Sequence, residues 1–246
     1  MKTLKLFFVA FLFSAVTSSA FAQNADEIIS KYITTIGGAE KLKSLKGIKM
    51  EMTTNGGGME IPVEVVQLAG GKMYVKINIQ GKEITQMASD GKTIWNTNFM
   101  TMKAEKADAE TTANALLSNG DFPDALLDYK SKGYAAEFVG KETKEGTECF
   151  KVKFTKKPVT VNGVKMDDVS YYFFDTDNNL AIASETEIKQ GPAKGQKSVS
   201  TMSDYQEVDG MYFPFAMNMG GQDMKIKKVT LNPTVLDTAF VMPVEK

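Results

Sequence analysis

The sequence predicts an α+β protein, mostly β, in which a long, curved antiparallel sheet is packed by helices from two places in the chain. Three observations carry this. From Gly47 onward, apolar residues recur with a period of two over most of the chain. Short turns rich in Gly, Asn and Asp separate the runs, which makes successive strands antiparallel neighbours. The period turns helical only near the start, over residues 24–45, and once in the middle, over residues 108–130.

The N-terminus has the three parts of a secretory signal. Lys2 and Lys5 give a positive start, Leu6 to Val16 is an almost unbroken apolar run, and Ala20-Phe21-Ala22 is a small-x-small cleavage site. Cleavage after Ala22 is expected, with residues 1–22 as signal peptide and residues 23–246 as one exported, periplasmic domain. A lipid anchor is not expected, because the only Cys is Cys149, far from the junction.

Asn24 to Gly38 reads as a helix. Ile28, Ile29, Tyr32, Ile33 and Ile36 form one apolar stripe, Asn24 or Asp26 can cap the start, and Gly37-Gly38 can end it. Ala39 to Leu45 reads as a short second helix with Leu42 and Leu45 on one side. Alternation then runs through Ile48, Met50 and Met52; through Met59, Ile61, Val63 and Val65; and through Met73, Val75, Ile77 and Ile79. A strand around Ile84 follows, and Asp90-Gly91 is a hairpin signal leading into Thr93 to Asn96. The pattern breaks between Met102 and Lys132. Helices are expected at Ala109 to Leu117 and Pro123 to Tyr129, separated by Asn119-Gly120. Strands resume with Phe150, Val152 and Phe154, then Val169 to Phe174, Leu180 to Ile188, Ser198 to Val208, Met211 to Met219 and Met224 to Leu231.

Composition narrows the chemistry. Lysine and arginine together number 29 against 30 acids, and no basic cluster is interleaved with aromatics, so nucleic acid is not an expected partner. There is no His, which removes Ser-His-Asp triads, Cys-His pairs and His-bound metals. Every basic residue is Lys, so bidentate Arg clamps on carboxylate or phosphate are missing too. One Cys cannot form a disulfide within the chain. The expectation is a protein that is not an enzyme, with no cofactor and no metal. Asp175-Thr176-Asp177-Asn178-Asn179 has oxygen ligands at calcium-loop spacing, but Leu180 and Thr186 stand where Gly and Glu belong, so it reads as a polar hairpin turn. Cys149 shares a face with Lys151 and Lys153, which favour a thiolate; an unpaired thiol without special function is the simpler reading. Asp167-Asp168 and the pair Glu185 and Glu187 read as solvated strand and loop faces.

Several ordered segments resemble one family: the LolA-like, outer-membrane-lipoprotein-sorting proteins of Gram-negative bacteria. They are Ile28-Ile29-Ser30-Lys31-Tyr32 with Ile36-Gly37-Gly38; Asp90-Gly91-Lys92-Thr93-Ile94-Trp95; and Tyr172-Phe173-Phe174-Asp175. Ser203 to Gly210 with Pro214, Asn232-Pro233, and the tail Phe240 to Pro243 complete the set. The resemblance implies an unclosed β-barrel whose concave face is apolar and covered by helices. It implies a periplasmic carrier or chaperone for the acyl chains of lipoproteins or another lipid. The well-studied carriers latch their lid helices with an arginine, and this chain has none.

The expected pocket lining is Met50, Met52, Met73, Val75, Trp95, Met100, Leu116, Phe122, Leu126, Phe150 and Phe154. The methionines suit a surface that must fit varied apolar shapes, and they equally suit ordinary core filling. Trp95 reads either as the mouth of a pocket or as a core anchor with a bonded indole. The expected state is a monomer that takes an acyl chain, with envelope sorting proteins as further partners. The alternative, from a different class, is an interaction protein that uses the same fold as a docking surface for envelope partners, with nothing in the cavity.

Overall fold

The computed structural model describes residues 17–243, with side chains from Ala25 onward. Most of the expected signal peptide, residues 1–16, lies outside the described residues. Helix α1 spans Thr17–Thr35 and so begins earlier than Asn24. Its stripe behaves as the spacing requires: Ala25, Ile28, Ile29, Tyr32 and Ile33 are buried, as is Ile36 just beyond its end. Gly37 ends it at φ +130°, where a Cβ would lie 2.6 Å from Met211 Cγ. Helix α2, Ala39–Ser44, buries Leu42.

All the strands form one sheet, in the order β6-β5-β4-β3-β2-β1-β13-β12-β11-β10-β9-β8-β7. The first meander is β1 (Gly47–Gly56), β2 (Met59–Leu68), β3 (Lys72–Ile79), β4 (Lys82–Asp90), β5 (Ile94–Asn98) and β6 (Lys103–Lys106). The second is β7 (Ala135–Lys144), β8 (Thr147–Val161), β9 (Val164–Asp175), β10 (Ala181–Glu187), β11 (Lys197–Val208), β12 (Met211–Met219) and β13 (Gln222–Leu231). The first strand joins the last, from Ile48 opposite Leu231 to Thr54 opposite Met224. The turns use the residues that tight hairpins demand, as at Asp209 and Gly210, with φ +51° and +76°.

The sheet is not closed: β6 and β7 are its free edges, and residues 107–134 connect them. Helix α3, Ala109–Leu117, lies in this connection, capped by Asp108, whose carboxylate accepts from Thr111 N at 2.7 Å. It meets β8 where that strand runs past the start of β7. There Asn114 pairs with Thr160 as a strand would, donating to its O at 2.6 Å and accepting from its N at 2.8 Å. On the other side, Asn119 donates to Gly91 O at 3.0 Å.

Two expectations for this stretch are corrected. Residues 103–106 form an edge strand, with Trp95 opposite Lys106, which polar Lys103-Ala104-Glu105-Lys106 hides because little of it is buried. Residues 123–129 form successive turns and no helix. Leu126, Leu127, Tyr129 and Tyr134 are all driven into the core, a set of insertions that one helical face does not supply.

The convex face of the first meander is covered. On its convex side Val66, Tyr74, Ala88 and Trp95 line up across four strands, and the C-terminal tail packs Phe240 on them. Cys149 is buried on the convex side of the second meander with Phe173 and Ala183. Burial raises its thiol pKa, and the thiol faces Thr147 O. Glu185, expected on a solvated face, is buried: burial opposes its charge, but Lys144 and Lys197 bond it and hold its pKa below the usual value.

Candidate functional site: the concave face

Residues opposite one another in antiparallel strands share a face. The register therefore draws continuous apolar rows across the concave side. One row runs Met87, Val75, Val65, Met50, Val229. The next runs Ile84, Ile77, Val63, Met52, Ile226. A third runs Ile61, Thr54, Met224, Met217, Met202. The positions on β1 and β13 are mostly buried, whereas those on β2, β3, β4, β11 and β12 are half-exposed. This is a broad greasy surface that no element of the described fold covers fully.

The second meander presents a different surface. Phe154 is 1% exposed and ringed by Tyr129, Tyr134 and Tyr172, at centroid distances of 5.9, 5.7 and 5.8 Å. Tyr172 stacks on Phe174, and Tyr32 of α1 tilts against Phe174 at 5.3 Å. Helix α1 and residues 121–134 seal this half, so it is core in the ordinary sense.

The seal is fastened by carboxylates. Tyr32 donates to Asp124 Oδ2 at 2.8 Å, and Leu126 N donates to Asp124 Oδ1 at 2.7 Å. Tyr129 and Lys130 both bond Asp26 on α1. Tyr134 donates to Asp121 at 2.8 Å, and Lys156 of β8 reaches the other oxygen at 3.0 Å. Lys43 of α2 pairs with Asp128 at 2.8 Å. Burial raises the Asp124 pKa despite the bonds it accepts. At Asp26 burial acts in the same direction, but Lys130 and Tyr129 outweigh it and its pKa falls. Tyrosine and lysine on aspartate thus fasten this seal in a chain that has no arginine.

The structure sorts the expected lining residues. Met50, Met52 and Val75 lie in the concave rows. Met73 and Phe122 line a cavity of about 310 Å³ beneath residues 115–125. Phe150, Phe154 and Leu126 belong to the sealed core. Trp95 does not share the face: it is 5% exposed on the convex side and its indole donates to Phe240 O at 3.0 Å. Met100, 97% exposed, sits at the tip of the β5–β6 hairpin. Leu116 is exposed on α3, a helix with no buried residue. The reading missed Ile61, Val63, Ile77, Ile84, Met202, Met217 and Met224 as members of the surface. Their signal was in the turn positions, which fix the register and hence the rows.

A groove of about 590 Å³ lies between α1 and residues 126–131, and a third opening of about 340 Å³ is lined mostly by polar residues, among them Glu51, Glu64, Lys76, Glu83 and Lys227, and so is not part of the apolar rows.

No protein-family model and no curated protein matches the chain. Solved structures do. A DUF1329 family protein from Desulfovibrio piger is 12% identical, with TM-score 0.55, over 89% of this chain and 97% of that one. A LolA superfamily protein from Nitrosomonas europaea is 13% identical, with TM-score 0.53, over 90% and 97%. A domain described as an outer membrane lipoprotein-sorting protein, from Vibrio parahaemolyticus, is 10% identical, with TM-score 0.50, over 89% and 97%. The likeness shows a shared fold: this chain has a LolA-like half-barrel.

Proposed function

We propose that the protein is a non-catalytic carrier of the cell envelope that shields an acyl chain, of a lipoprotein or another lipid, against the open half of its concave face. The observation that carries this reading is the set of half-exposed apolar rows running through Val75, Val65 and Met50 and through Ile77, Val63 and Met52. Such a surface is costly in water and is stabilised by an apolar occupant. Binding is partition rather than chemistry, each buried methylene contributing about 0.8 kcal/mol. Methionines at positions 50, 52, 87, 202, 217 and 224 adapt to chains of varied shape. The described titratable groups near the groove are committed to fastening, as Asp26, Asp121 and Asp124 are. Export through the signal peptide, with cleavage after Ala22, and a periplasmic site belong to the same reading. No helix among the described residues is long and apolar enough to cross a membrane.

The test is titration with a fluorescent acyl probe, followed by competition with unlabelled fatty acids of increasing length. Affinity should reach the micromolar range, about −8 kcal/mol, and rise with length until the surface is filled. A flat length dependence would leave the fold as a docking surface for envelope proteins.

A further inference from the structure

The hairpins of the open half end in turns at one end of the sheet. By register, the turns β5–β6, β3–β4, β1–β2 and β12–β13 are successive neighbours at that end. Neighbouring hairpin tips are about 10 Å apart, twice the strand spacing. Three of the four tips carry exposed apolar side chains. Phe99, Met100 and Met102 stand on the first, 48%, 97% and 46% exposed; Met59 is 52% exposed on the third and Met219 46% on the fourth. The opposite end differs. Its turns carry Gly70-Gly71, Asp90-Gly91, Glu145-Gly146, Asp175 to Asn179 and Asp209-Gly210. Among the described residues of those turns and the chain ends beside them, large exposed apolar groups are Tyr212, beside a turn, and those of the C-terminal tail.

The Met100 tip is held rather than loose. Asn98 Oδ1 accepts from Met100 N at 2.9 Å and Thr101 N at 3.3 Å, and Met102 N closes on Asn98 O at 2.7 Å. The fold therefore presents Met100 outward at nearly full exposure. Charge at this end is mixed. Of the acids beside the tips, Glu60 pairs with Lys227 and Glu83 with Lys76, whereas Asp223 and Glu105 bond the neutral Asn218 and Asn98. Lys82, on the second tip, makes no ion pair among the described residues, and neither does Lys194 in the adjoining loop between β10 and β11.

We propose that this end of the half-barrel is a membrane-docking rim, which rests the Phe99, Met100, Met59 and Met219 tips in the interface of an anionic bilayer. Apolar tips that enter the headgroup region, beside lysines that face its charge, are the two terms of interfacial binding. The exposed side chains are few and separated by polar turns, so contact is shallow and reversible. The rim adjoins the open concave rows, so a docked molecule has its apolar surface next to the lipid. The surface does not depend on the acyl-binding reading and is tested apart from it.

The experiment is cosedimentation of the protein, in the form recovered from the cell envelope, with vesicles of phosphatidylglycerol and phosphatidylethanolamine, and with vesicles of phosphatidylcholine alone. The wild type should bind the anionic vesicles. Met100→Asp should weaken that binding roughly tenfold, as expected for replacing a buried apolar side chain by a charge. Lys82→Glu should weaken it roughly fivefold on anionic vesicles and leave neutral ones unaffected. Because Cys149 is buried, a dye on Met100→Cys reports the tip alone, and it should shift to the blue on vesicles while one on Lys92→Cys, at the opposite end, does not. Solution binding of an acyl probe should be unchanged by Met100→Asp. No vesicle binding by the wild type, or equal binding by Met100→Asp, overturns the proposal. So does self-association that Met100→Asp abolishes, which would make the rim a contact between copies.

Discussion

Phe154 and Val75 both point to the concave face from within a strand. Phe154 is enclosed by three tyrosines beneath α1 and the 121–134 segment, whereas Val75 is half-exposed between Val65 and Met87. Alternation is the same in both places, so the difference lies in the cover and in side-chain type. The sealed half is aromatic, and rigid rings of fixed shape interlock with one arrangement of partners. The open half is methionine, valine and isoleucine, which adapt to whatever lies on them. One half stabilises the fold and the other is left available.

The largest effect should come from the seal. Ile29→Asp or Ile33→Asp places a charge where the wild-type side chains are 3% and 7% exposed, and should cost about 4 kcal/mol in urea melts. Phe154→Ala should cost about 3–5 kcal/mol, the range for a truncated core aromatic. Val75→Ala should cost under about 1 kcal/mol, because the side chain is only half removed from water. Similar losses at Phe154 and Val75 would erase the distinction between the halves.

Function should divide the other way. Ile77→Asp, in the second concave row, should leave stability within about 1 kcal/mol and weaken an acyl probe by about 2 kcal/mol, through a charge set in the binding surface. Phe154→Leu, which keeps the core filled, should leave probe affinity near the wild-type value. If Ile77→Asp binds normally, the ligand does not lie on these rows.

Much of this was legible in the sequence. The stripe through Ile28, Tyr32 and Ile36 and the alternation through Met50 and Met52 are local patterns, and local patterns survive folding. α3 appears at residues 109–117 as its composition suggests. Trp95 shows the limit. Alternation separates two faces of a strand but does not say which is concave, and the tail that buries Trp95 comes from Phe240, far along the chain. The adjacent Val65 and Val66 were the available hint, since consecutive apolar residues mark a strand that is apolar on both faces. Residues 121–134 were opaque for a different reason: Leu126, Leu127, Tyr129 and Tyr134 are placed by tertiary insertion rather than by any period.

The smallest effect concerns the fastening of the seal, and its sign separates two carboxylates. Asp124 has a pKa raised above its ordinary 3.8, chiefly by burial, so the folded chain holds that proton more tightly than the unfolded chain. Stability from this group is complete below the unfolded value and is lost as pH rises through the raised folded value. Asp26 is opposite. Its pKa is lowered, because Lys130 and Tyr129 overcome burial, so its contribution is present above 3.8 and is lost as pH falls through the depressed value. Asp124→Asn should therefore change neutral stability by under about 1 kcal/mol, near the net worth of one hydrogen bond, while removing the decline above the ordinary carboxylate range. Asp26→Asn should flatten the acid side instead. Urea midpoints across that range, compared with the wild type, read both slopes. If the two substitutions act on the same side, the two aspartates of the seal are not shifted in opposite directions. Because both carboxylates join the 121–134 segment to α1, Asp124 from the segment and Asp26 from the helix, such a result would also remove the account of how the aromatic half stays shut without arginine.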